Sequence, residues 1–132
     1  MPTDMLQHLL YIDQTKNKGQ GIFARKMIPA ETIIEVSPVI VMDKKDRNHL
    51  DQTLLHDYIF EWGEEHDKCA MALGLVPIYN HSYASNCEYF MDYEANTIMV
   101  KSVRDIKAGE ELTINYNGDW NDTTPVWFDV QE

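Results

Sequence analysis

Cysteine is scarce in this chain: Cys69 and Cys87 are the whole complement of its 132 residues. Two separated thiols cannot make a disulfide framework, and they show no CxxC spacing for zinc or redox chemistry. Both are expected to be small buried residues. Basic residues are also few, with 11 Lys and Arg against 22 Asp and Glu for a net charge of −11. Such a surface repels nucleic-acid phosphates and suits a basic protein partner, so no direct nucleic-acid contact is expected. No apolar run is long enough to span a membrane, and Met1-Pro2-Thr3-Asp4 lacks the basic start of a secretory leader. The chain is therefore expected to act inside a cell and off the membrane. None of the five histidines sits in HExxH or another tight ligand spacing, and no GxSxG surrounds Ser82. Metal and serine hydrolysis are set aside, and no metal is expected. Repeats, linkers and low-complexity segments are absent, which predicts a single domain over 1–132.

What is present is an ordinary globular composition, 44% apolar and 25% charged. Short β-branched segments separated by turn residues predict strands at Leu9–Ile12, Ile22–Ala24, Thr32–Val36 and Val39–Met42, the last two divided by Ser37-Pro38. The polar run Asp43–Asn48 breaks this pattern. After it, Leu50, Leu54, Leu55, Tyr58 and Ile59 fall at helical spacing and predict one inserted helix, passing into a strand at Phe60–Trp62. Cys69 to Ile78 is apolar on both faces and reads as a segment threading the core. Glu88–Tyr93 and Thr97–Val103 predict a hairpin around Glu94-Ala95-Asn96, and Lys107–Glu110 turns the chain into Leu112–Tyr116. The core is expected over about 9–116. The tail, 117–132, carries Trp120, Trp127 and Phe128 and is expected to dock.

Three stretches carry polar chemistry, and each alone has a plain structural reading. KGQGIFAR contains only GxG, which is usually a turn. IYNHSYASNC sets Asn80, His81 and Ser82 directly after the apolar run, where polar side chains commonly cap local backbone. GEELTINY closes the ordered pattern. The glycosylation signals at Asn80 and Asn121 lack a leader, and Asp92–Asn96 lacks the glycine and glutamate of a calcium loop.

Taken in order, the three stretches resemble the SET domain of protein lysine methyltransferases, with its GxG, its NHS followed by Asn-Cys, and its GEELT-x-x-Tyr. The likeness runs from about Gly19 to Tyr116. HDYIFEW and CAMALG are similar to runs in the minimal SET-only enzymes of a large algal virus and of bacteria. The resemblance implies a mostly β, β-clip-like fold of short sheets with one inserted helix and a knot-like C-terminal crossing. It implies S-adenosylmethionine as cofactor, held by the backbone of Lys18, Gly19, Gln20 and Gly21 and by Asn80 and His81. Tyr116 would be the catalytic tyrosine. Tyr58 either lines the target-lysine channel or is a core aromatic.

The implied substrate is a lysine-rich basic protein, histone-like or ribosomal. The implied location is intracellular, in the cytoplasm or, for a histone, a host nucleus. A homodimer would complete the substrate groove of so small a chain. Several positions depart from the family pattern. Asn115 replaces a common Asp, Pro77-Ile78 replaces Arg-Phe, Tyr83 replaces a common Cys, and Gln20 stands where the viral relative has a tyrosine. No cysteine-rich zinc module follows Tyr116, so the cofactor's cover falls to Trp120 or Trp127, with Trp127 the preferred of the two and packing against the core its equal alternative. Ile114, in place of a tyrosine, leaves space for more than one methyl. The rival expectation, from a different class, is a SET-fold interaction module with little or no turnover.

Overall fold

The computed structural model describes residues 8–118 and 120–126. Nine strands are found among them: β1 (Leu10–Gln14), β2 (Gln20–Ala24), β3 (Ile33–Met42), β4 (Phe60–Trp62), β5 (Lys68–Ala72), β6 (Asn80–His81), β7 (Cys87–Asp92), β8 (Thr97–Ser102) and β9 (Glu111–Ile114). They form a four-stranded sheet in the order β1-β2-β9-β6 and a five-stranded sheet in the order β4-β5-β3-β8-β7. The mostly β architecture is as the resemblance implied. No helix among the described residues is long and apolar enough to cross a membrane.

Strand alternation explains the core. Ile98, Val100 and Ser102 of β8 are buried while their neighbours are half-buried, and β2 and β9 contribute Ile22, Leu112 and Ile114 with no exposed surface. Burying a side chain of this size stabilises by about 1.5–3 kcal/mol. Cys69 and Cys87 are free and fully buried, as small apolar residues would be. The β7–β8 hairpin turns where expected. Asp92 Oδ1 accepts from the backbone N–H groups of Glu94 and Ala95, and Asn96 takes a positive φ of 55°.

Three elements differ from the sequence expectations. Ser37-Pro38 does not divide two strands, because β3 runs unbroken through it. Ile33–Pro38 pair with β8 and Val39–Met42 with β5, so the missing proline N–H falls where the strand changes partner. The helix is α1, Lys44–Leu50, and begins inside the polar run Asp43–Asn48 instead of after it. Asp43 caps it by accepting from the Asp46 N–H, and α1 buries none of its residues, so it leaves no apolar periodicity to detect. The Leu54–Asp57 segment is only a 3-10 turn, capped by Thr53. Finally, the run from Cys69 does not thread the core throughout. It leaves β5 through Gly74 at φ 85° and re-enters by a 3-10 turn at Val76–Ile78.

That re-entry is held by Glu35, a carboxylate on β3 with 2% of its surface exposed. It accepts from the Leu75 N–H at 2.8 Å and from the Tyr79 hydroxyl at 3.3 Å. A β-carbon at Gly74 would collide with Glu35 Oε2. Burial raises the Glu35 pKa above its ordinary 4.5, although both hydrogen bonds oppose the shift. An acid held above its unfolded value favours folding most below that value, and the advantage is lost as pH climbs through the raised one. Glu35→Gln is therefore expected to flatten the fall in stability above pH 4.5. Urea midpoints measured across the acid-to-neutral range check this, and parallel curves for variant and wild type would contradict it.

Candidate active site

The site is built where β6 runs parallel to β9. Asn80 lies opposite Thr113 and His81 opposite Ile114, and the Ser82 N–H continues the ladder to the Ile114 carbonyl at 3.0 Å. Asn86 locks the return. Its Nδ2 donates to the Glu111 carbonyl at 2.8 Å, and its Oδ1 accepts from the Thr113 N–H at 2.8 Å. The NHS and GEELTINY stretches thus meet through backbone pairing.

Tyr116 follows β9 directly and is fixed at both ends. Its N–H donates to His81 Nδ1 at 2.9 Å, which makes that nitrogen the unprotonated one, and its hydroxyl donates to the Tyr79 carbonyl at 2.9 Å. The His81 ring lies 5.1 Å from the Tyr116 ring and meets Tyr83 edge-on at 4.6 Å. Burial, with smaller contributions from Tyr58 and Glu111, pushes the Tyr116 hydroxyl up to about 12. At neutral pH this group is a hydrogen-bond donor and an aromatic wall, not a base.

Two cavities meet at this residue. One, of about 420 Å³, is walled by Lys18, Gly19, Gln20, Ile78 and Asn80. The other, of about 470 Å³, is walled by Phe60, Glu61, Tyr89, Met91 and Tyr93. Asp57, Tyr58, Pro77 and Tyr116 border both. In the first cavity, Asn80 Nδ2 donates to the Gln20 carbonyl at 2.9 Å and to Glu111 Oε2 at 2.8 Å. Both amide protons serve the protein, so Oδ1 is the atom that Asn80 can offer a ligand. Glu111 also pairs with Lys18 at 3.4 Å, and both side chains are largely buried. Gly21 has no room for a side chain: a β-carbon would lie 2.6 Å from Glu111 Oε2 and 3.1 Å from Asn80 Nδ2.

The structure therefore brings Lys18, Gly19, Gln20, Asn80, Tyr58 and Tyr116 to a shared wall. Gly21 and His81 are buried behind it, Gly21 against Glu111 and His81 supporting Tyr116. Tyr58 is 42% exposed, which removes the alternative of a core aromatic. Trp127 lies outside the described residues, and Trp120 is 41% exposed. Sequence reasoning passed over two residues. Glu111 stood inside a motif already singled out, and only its pairing with Asn80 and Lys18 marks it. Asp57 immediately precedes Tyr58, and nothing in the sequence sets it apart from the other exposed acids. Among the described residues no three His, Cys, Asp or Glu side chains cluster as metal ligands.

The family model described as SET domain matches residues 19–117. A Schizosaccharomyces pombe histone-lysine N-methyltransferase specific for H3 lysine-37 is 37% identical over 130 residues, covering 98% of this chain and 83% of that protein. A Cryptococcus neoformans histone-lysine N-methyltransferase specific for H3 lysine-36 is 31% identical over 113 residues, 80% of this chain but 14% of that longer protein. A solved Plasmodium falciparum chain, assigned to the histone methyltransferases, superposes with a TM-score of 0.63 at 27% identity, covering 86% of this chain and 97% of that one.

Proposed function

The chain belongs to the SET-domain family of protein lysine methyltransferases, and from that premise we propose that it transfers methyl groups from S-adenosylmethionine to lysine on a basic protein such as a histone. The observation that carries this reading is the pair of cavities sharing Tyr58 and Tyr116. One is lined by backbone and an amide oxygen, the other by aromatic rings and carboxylates.

The first cavity fits the cofactor in size, being within the range of roughly 300–1,000 Å³ typical of ligand pockets. It also fits in chemistry. Asn80 Oδ1 can accept from an ammonium, the Lys18–Gln20 backbone can take polar edges, and the two tyrosine rings suit a cation. S-adenosylmethionine supplies an activated methyl group on a sulfonium. The chain's contribution is placement, because an in-line displacement needs aligned partners more than acids and bases. An arriving lysine must be neutral to attack, and enclosure among Tyr58, Tyr89 and Tyr116 lowers an ammonium pKa by desolvation. Tyr116, held protonated, can orient the reacting groups without competing for the proton.

Asp57 and Glu61 at the second cavity, together with the net charge of −11, favour a Lys/Arg-rich segment. The H3-specific relatives make histone H3 the first substrate to test. A histone substrate carries with it a nuclear location. A second copy of the chain belongs to this reading too, since Val36 and Phe90 expose apolar surface on either side of Met99. Sedimentation as a monomer at micromolar concentration would remove that element.

Gly21→Ala offers a separate check of the cofactor side. The added carbon meets side-chain atoms of Glu111, Thr15 and Asn80 and no backbone, so the fold should survive while Glu111 and Asn80 are displaced. Calorimetric affinity for the cofactor should fall about tenfold, roughly the loss of one polar contact. Unchanged affinity would count against placing the cofactor there. Methyl-labelled cofactor incubated with core histones and with ribosomal proteins tests the reading as a whole. Label on lysine, located by mass spectrometry, is the expected result. Cofactor binding with no transfer to any protein would favour the interaction module instead.

A further inference from the structure

Residues 120–126 lie against the crossing with little burial to hold them, because Asn121, Thr123, Thr124 and Pro125 are exposed and only Asp122 and Val126 are half-buried. Side chains of the crossing grip the segment's backbone instead. The Ser85 N–H and hydroxyl both donate to the Trp120 carbonyl at 3.1 Å. Asn117 Nδ2 donates to the Thr124 carbonyl at 2.6 Å and to the Asp122 carbonyl at 3.3 Å, and the Val126 N–H donates to the Tyr83 hydroxyl at 3.3 Å.

At the centre sits Asn115, fully buried. Its Nδ2 donates to the Asp122 carbonyl at 2.7 Å and to the Tyr83 carbonyl at 3.4 Å, and its Oδ1 accepts from the Asn117 N–H at 3.0 Å. One side chain thus joins the β6-side loop, the 120–126 segment and the turn that follows Tyr116. The Gly118 N–H closes that turn onto the Asn115 carbonyl at 2.9 Å.

We propose that Asn115 is a positioning residue for Tyr116, the hub of a hydrogen-bonded clasp that seats residues 120–126 and holds the 115–118 turn rigid. Both neighbours of Tyr116 reach into the segment, so releasing it frees the backbone on either side of the tyrosine. The hub must be an amide. An aspartate of the same shape would set oxygen against the Tyr83 and Asp122 carbonyls and bury a charge with only the Asn117 N–H to meet it. This accounts for Asn at a position where aspartate is common in the family.

The effect on turnover rests on the methyl-transfer reading above, whereas the clasp is measured without it. Hydrogen exchange read by NMR on the full chain, with kcat and cofactor affinity, should be compared for wild type, Asn115→Asp and Asn115→Ala. In Asn115→Asp, exchange at Asn117, Thr124 and Val126 should rise about tenfold or more, as one or two hydrogen bonds are lost. kcat should fall by about the same factor and cofactor affinity by clearly less, since of the first cavity's wall only Tyr116 is loosened while Lys18–Gln20 and Asn80 keep their places. Lowering the pH towards about 5 should restore protection in Asn115→Asp, whose neutral acid can donate once, but not in Asn115→Ala.

Wild-type protection in Asn115→Asp, or lost protection with unchanged kcat, would overturn the proposal. If wild type transfers no methyl to any protein, the functional reading fails, and exchange at Tyr116 and Asn117 still decides whether Asn115 orders the turn. Should Asn115→Asp not fold, Tyr83→Phe removes the acceptor for the Val126 N–H and should speed exchange there severalfold. No change at Val126 would again overturn the clasp.

Discussion

Tyr116→Phe should lower methyl transfer to lysine by about 10²- to 10³-fold, the range found when one preorganised donor is removed from a reaction centre. The hydroxyl touches the Tyr79 carbonyl at the boundary of the two cavities, and phenylalanine keeps the ring but cannot donate. The fold should survive, because the backbone N–H bond to His81 does not depend on the side chain. One orphaned carbonyl costs about 1 kcal/mol or a little more. Single-turnover kinetics with saturating cofactor would locate the loss in the chemical step, with cofactor affinity nearly unchanged. Transfer within about threefold of wild type would deny the hydroxyl a catalytic role.

Asn86→Ala should have the largest effect on stability of any single polar truncation at the crossing. The residue is 2% exposed, and its side chain serves the Glu111 carbonyl and the Thr113 N–H on one strand. It also reaches Glu110 Oε2 at 3.3 Å. Removing it leaves two backbone groups of β9 buried without those partners, a loss of about 2–4 kcal/mol. The urea midpoint should drop accordingly without a change in slope. Asn86→Asp should do no better, since it keeps the acceptor but sets a carboxylate against Glu110. A midpoint for Asn86→Ala close to that of wild type would mean that the crossing is held by strand pairing alone.

The legible parts of this protein were those whose information is local. Alternation in Thr97–Ser102, the Asp92–Asn96 turn and the polar residues after Ile78 each announce themselves in a few positions. Asn80 and Tyr116 could be proposed as site residues because NHS and GEELT-x-x-Tyr stand in order in the chain. Elements decided by distant pairing were less visible. Pro38 looks like a strand break until β3 is seen to exchange β8 for β5 at that point. Helix α1 has no apolar face, so hydrophobic periodicity could not find it, and the caps at Asp43 and Thr53 were the signals to weigh. Glu35, Glu111 and Asn115 owe their roles to neighbours 40, 31 and 32 residues away, at Leu75, Asn80 and Tyr83. No short motif carries such information.

The arrangement of two cavities around Tyr58 and Tyr116 is tested most directly by a crystal structure of the full chain with S-adenosylhomocysteine and a lysine peptide of histone H3. The expected result has the cofactor product against Lys18–Gln20 and Asn80 Oδ1. The peptide should lie along Glu61 and Tyr93, with its lysine amine reaching the product's sulfur between Tyr58 and Tyr116. Product and peptide bound on the same side of those tyrosines, or a lysine pointing away from them, would contradict the account.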